Sequence, residues 1–159
     1  MLSIILSSNN ILIDENYEPK ICDFGNTKYL SEEPNHVGTL GYIGQEIFTR
    51  SDYNFNTPQS DVYGFSGILW VLAVENPIPV QKYDHRQDGL DFDKIQNDNI
   101  WFLVKSCRAY HPDQRFTLDK IIKLIIDGKF VFPGTDFDEV KEYYDKLEEQ
   151  TKNISEFEP

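Results

Sequence analysis

The apolar positions of this chain follow three different rhythms. "NILIDENYEPKICDFG" reads as two short strands, Ile11 to Ile13 and Lys20 to Cys22, joined by the turn-prone "DENYEP", which predicts a β-hairpin. From Asn26 to Gly44 there is no period, and Pro34, Gly38, Gly41 and Gly44 predict a long surface loop. Such loops inside a domain usually carry function. "SDVYGFSGILWVLAVENP" is apolar on nearly all sides, so it predicts an interior helix capped by Ser60-Asp61 and stopped at Asn76-Pro77. Residues 77–97 are rich in Pro, Asp, Gln and Asn and predict loop or irregular helix. Helices follow over "NIWFLVKSCRAY" and, past Pro112, over "TLDKIIKLIIDG", with Thr117 as cap and Gly128 beyond the end. "DFDEVKEYYDKLEEQ" puts Phe137, Val140, Tyr144 and Leu147 on one helical face before an acidic tail. The fold class is mainly α with a small β-hairpin. Residues 1–132 make the main unit, and 133–159 add an amphipathic helix and the tail.

Composition narrows the partners. A chain of 159 residues suits one domain and buries about 70% of the surface its unfolded form exposes. With 27 acidic and 15 basic residues the formal charge is -12, which repels a duplex or an anionic bilayer. Nucleic acid and membrane are therefore not expected as partners. Cys22 and Cys107 lack C-x-x-C spacing, and His36, His85 and His111 are scattered, so no zinc site or disulfide framework is expected. The longest apolar run, Val62 to Val74, is interrupted by Gly64, Ser66 and Gly67, and Met1 to Leu6 is too short for a signal sequence. The expected location is cytoplasmic.

The chemistry concentrates around Asp23-Phe24-Gly25, a carboxylate at the end of a strand, and around Asn10 within "NNILID". "GTLGYIGQE", Gly38 to Glu46, follows, then "DVYGFSGILW", Asp61 to Trp70, then "CRAYHPDQRFT", Cys107 to Thr117. In this order, over residues 6–126, the chain resembles the C-terminal lobe of a protein kinase of the Ser/Thr, tyrosine-kinase-like type. The resemblance implies ATP and Mg2+ as cofactors, with Asn10 and Asp23 as the metal ligands. A magnesium ion on nucleotide phosphates keeps several waters and needs only one or two protein oxygens, so one carboxylate and one amide suffice if the hairpin holds them together. The resemblance also implies that Leu12 and Cys22 floor the nucleotide pocket and that Phe24 packs inward while Gly25 permits the turn. Asp23, Phe24, Gly25, Thr39 and Glu46 would belong to the activation segment, Thr39 pointing to the Ser/Thr type. Glu46 would pair with Arg115 for structure, and Asp61 would hold the catalytic loop or serve as a plain N-cap. The partner would be a protein substrate or another binding protein.

The pattern also departs from the family. Counting back from Asn10, Ser3, Ile4 and Ile5 stand where His, Arg and the catalytic Asp belong, and Ser7 replaces a lysine. Ile5 can neither accept a proton nor orient a hydroxyl, so no catalytic residue is assigned. The chain contains no glycine-rich loop and no V-A-I-K lysine, and "GQE" replaces A-P-E. Phosphoryl transfer depends mostly on positioning and electrostatic stabilisation, so the isolated chain is expected to be inactive. Three readings stay open: a fragment of a longer kinase, a pseudokinase lobe acting as a protein-binding module, and a folded remnant.

Overall fold

The computed structural model describes residues 2–3, 6–24, 28–29, 39–46, 57–79 and 90–155. Its centre is α1, Pro58–Val74, the segment that is apolar all round. Thr57 is the N-cap, its hydroxyl accepting the Ser60 amide at 3.2 Å, with Pro58 in the first turn. The expected Ser60-Asp61 cap is thus displaced by one turn, and Asp61 sits inside the helix, where its charge still favours the N-terminal dipole. The helix stops when Glu75 turns left-handed at φ 54°, ahead of the Asn76-Pro77 stop.

Among the described residues three more helices follow: α2, Asp98–Cys107, which packs on α1, α3, Leu118–Ile126, and α4, Phe137–Ser155, which packs on α3. Each begins at a side-chain cap. Asn97 accepts the amides of Asn99 and Ile100, Thr117 that of Lys120, and Asp136 those of Asp138 and Glu139. α2 ends at Cys107 rather than Tyr110, because Arg108 leaves helical geometry to enter the turn before Pro112. Val62, Tyr63, Trp70, Ile100, Leu103, Val104, Cys107 and Ile121 are the most deeply buried apolar side chains, so the core lies chiefly between α1 and α2, with α3 closing it. Trp70 also donates its indole N–H to the Asp91 carbonyl at 3.2 Å, tying the short 3-10 turn at Phe92–Lys94 to the core.

Among the described residues four short strands form two antiparallel pairs. β2, Ile11–Ile13, pairs with β3, Pro19–Ile21, in the register Ile11 to Ile21, Leu12 to Lys20 and Ile13 to Pro19. β3 begins and ends one residue earlier than the sequence suggests. β1, Leu2–Ser3, pairs with β4, Lys28–Tyr29, so the stretch from Asn26 is not uniformly loop. Nor is it all surface, since Gly41 to Glu46 is buried. Among the described residues no helix is long and apolar enough to cross a membrane.

Candidate functional site

The hairpin brings the two ends of the candidate metal site together. A 3-10 turn, Ser8–Asn10, leads into β2, closed by the Asn10 amide donating to the Ser7 carbonyl at 3.0 Å. The Cys22 amide donates to the Asn10 carbonyl at 2.8 Å, extending the pairing one step past β3. Asn10 and Asp23 are therefore adjacent at the open end of the hairpin, Asn10 half-buried and Asp23 exposed. Asp23 has φ 60°, a left-handed conformation that a non-glycine residue adopts only where the surroundings impose it. At the other end the Asp14 carboxylate accepts the amides of Asn16 and Glu18, both at 2.9 Å, and the Glu18 amide bond holds its pKa below the ordinary value.

The remaining predicted site residues fall in three groups. Leu12 is 58% exposed and Cys22 half-buried. Phe24 does not pack inward: it is 57% exposed, because no described element covers that side of the hairpin. Ile5 and Gly25 lie outside the described residues. Ser7, at the position matching a family lysine, is fully buried, and its hydroxyl finds no hydrogen-bond partner among the described residues.

Beneath this open hairpin is a closed clamp. Arg115 donates from both terminal nitrogens to Glu46, at 2.7 and 2.6 Å, and the two side chains are 0% and 3% exposed. The same guanidinium donates to the carbonyls of Ala109 and Gln59, each at 2.9 Å, so four of its five N–H groups are engaged. Gly44 lies against the Glu46 carboxylate, and any side chain there would strike it. Cys107 sits close by, and burial pushes its thiol from 9.0 up to about 12 although the Arg115 charge pulls the other way. Asp61 lines a cavity of about 380 Å³ with Leu6, Ile21, Phe65 and α3 side chains, which sets it beside the segment leading to Asn10.

Two links were not anticipated from the sequence. The hydroxyls of Ser8 and Tyr42 are 2.7 Å apart, joining the turn before β2 to the segment 39–46. α1 also touches the segment just before that turn: a methyl group at Gly64 would collide with the Leu6 carbonyl oxygen. A glycine inside a helix costs about 0.5–1 kcal/mol, and that cost is the one signal in the sequence for such an approach.

Comparison with known proteins identifies the family. Residues 6–125 match the protein kinase domain model. A probable serine/threonine-protein kinase of Dictyostelium discoideum is 31% identical over 126 residues, which is 74% of this chain and 12% of that protein. Wall-associated receptor kinase-like 4 of Arabidopsis thaliana is 36% identical over 134 residues, 78% of this chain and 17% of that protein. The dual specificity protein kinase shkC of Dictyostelium discoideum is 28% identical over 137 residues, 76% of this chain and 26% of that protein. The chain belongs to the protein kinase family, and it spans no more than about a quarter of the length of these relatives.

Proposed function

We propose that this chain is the C-terminal lobe of a Ser/Thr-type protein kinase domain that works as part of a longer protein, with Asn10 and Asp23 as its magnesium ligands. The observation that supports the reading is the 2.8 Å backbone bond from the Cys22 amide to the Asn10 carbonyl, which pairs the main chain at Asn10 with the residue just before the exposed Asp23. Asn10 and Asp23 both offer hard oxygen donors, and two such donors fit an ion that takes its other ligands from water and phosphate. Bound there with ATP, magnesium would neutralise charge on the transferring phosphate. This chain's part is to hold the two donors at one end of a hairpin, fixed by the turn at Ser8–Asn10 and by α1 beneath it.

In this reading the 159 residues alone do not transfer phosphate. Ile5 supplies no base, and loss of a general base lowers rate by about 10²–10⁴. A second reading, a pseudokinase lobe that binds another protein, draws on the same Ile5 and on the exposed apolar Leu12, Ile13, Ile21 and Phe24. Manganese(II), a paramagnetic stand-in for magnesium, separates the two. In the first reading it broadens the NMR signals of Asn10 and Asp23 selectively, and Asp23→Ala abolishes the effect. Uniform broadening, or broadening that survives Asp23→Ala, would leave only the binding module.

A further inference from the structure

Arg108 lies just past α2, at a position to which the sequence assigns no role. A guanidinium taken out of water is costly unless its donors are satisfied, and this one is buried. Its Nη2 donates to the Gly41 carbonyl at 2.8 Å, and its Nη1 donates to the Ser66 hydroxyl at 3.2 Å. The Ser66 hydroxyl donates in turn to the Tyr63 carbonyl. The guanidinium carbon also stands 4.2 Å from the centroid of the Tyr63 ring, and that of Arg115 stands 4.7 Å from the same centroid. The two arginines thus share one aromatic platform on α1. Arg115 grips Glu46, at one end of the segment 39–46, and Arg108 grips Gly41 near the other.

The grip on Gly41 reaches further than its own bond. Tyr42 follows directly, with its amide donating to the Thr39 carbonyl at 3.0 Å and its hydroxyl 2.7 Å from that of Ser8. Ser8 opens the turn that ends at Asn10, and the Asn10 carbonyl receives the Cys22 amide. A continuous set of contacts therefore runs from Arg108 through Gly41, Tyr42 and Ser8 to the open end of the hairpin.

We propose that Arg108 is a positioning residue: it holds Gly41 where Tyr42 reaches Ser8, and so couples the segment 39–46 to the turn that carries Asn10. The ion pair of Arg115 anchors the segment at its Glu46 end, while Tyr42 packs against Gly67 of α1. The bond from Arg108 adds a hold at Gly41. Gly41 presents a neutral carbonyl, so Arg108 acts there through hydrogen-bond direction and stacking rather than through neutralised charge. The bearing of this coupling on metal binding rests on the function proposed above, but the coupling itself does not.

Native-state hydrogen exchange reads the coupling directly. The amides of Tyr42 and Asn10 report on the two segments, and those of Val104 in α2 and Leu124 in α3 report on the core. In Arg108→Met the first two should exchange about tenfold faster or more, while the core amides stay within about twofold. Arg108→Lys, which keeps a donor and a charge, should recover part of the protection. Tyr42→Phe should accelerate Asn10 and leave the Tyr42-position amide as in the parent. Equal acceleration of all four amides in Arg108→Met would reduce Arg108 to a general stabiliser and overturn the proposal. If that variant does not fold, Tyr42→Phe decides alone: unchanged exchange at Asn10 overturns the proposal. Loss of manganese broadening with the exchange pattern intact would overturn only the metal assignment.

Discussion

The two regions linked through the turn at Ser8–Asn10 are built on opposite principles. The lower one, Glu46, Arg115, Tyr63 and Cys107 between α1 and α2, is closed to water, and four of the five N–H groups of Arg115 have partners. The upper one, β2 and β3, is exposed along most of both strands, with Leu12, Ile13 and Phe24 more than half uncovered. A two-stranded hairpin is marginal by itself, so its geometry is set from below, by the Leu6 carbonyl against Gly64 and by Ser8 against Tyr42. Stability is concentrated where no ligand is expected to reach, and the candidate ligands sit where stability is least at stake.

The comparison breaks most readily at Arg115. Arg115→Ala strands the Glu46 carboxylate in the core and should cost about 3–5 kcal/mol, a large part of a total near 5–15 kcal/mol. Leu12→Ala in the exposed hairpin should stay within about 0.5 kcal/mol. Urea denaturation of both variants checks the contrast, and equal midpoints would erase it.

The two thiols offer a covalent version. With its pKa raised by about three units, Cys107 should carry about a thousandfold less thiolate near neutral pH than an ordinary cysteine. In the native protein at pH 8, iodoacetamide should label Cys22 and spare Cys107 until denaturant is added. The native state keeps a proton on Cys107 that the unfolded chain gives up. The stability linked to it is therefore complete below about pH 9 and is lost as pH rises towards 12. Cys107→Ser should flatten that alkaline decline, and an unchanged slope would mean that another group causes it.

Gly64→Ala tests how tightly the lower region supports the upper. Alanine is the better helix former, yet its methyl group would meet the Leu6 carbonyl, so the net effect should be a loss of about 1–3 kcal/mol. A gain in melting temperature would show that the hairpin is not seated on α1. The smallest effect belongs to the open end. ATP with magnesium at about 1 mM should raise the melting temperature by less than a degree, since a ligand near its dissociation constant contributes only about 0.4 kcal/mol. A rise of several degrees that vanishes in Asp23→Ala would show that the exposed hairpin holds nucleotide without further cover.

Local order and family were legible in the sequence because they rest on short-range rules. The all-round apolar pattern of 62–74 specifies an interior helix whatever packs on it, Thr117 caps α3 where its position requires, and the spacing from Asn10 to Asp23 matches a hairpin that closes as expected. The five blocks in order carried the family assignment, which residues 6–125 share with the protein kinase domain model. Tertiary structure alone decided the rest. Phe24 stays exposed because no described element lies over it, whereas the shift of the α1 cap to Thr57 follows from the adjacent Pro58 and is itself a local effect. Arg108 is the plainest case: nothing within a few residues of it in the chain distinguishes it from a solvated arginine. Two of its partners are Ser66 and Gly41, 42 and 67 residues away, and packing α2 against α1 brings a buried carbonyl and an aromatic face within its reach.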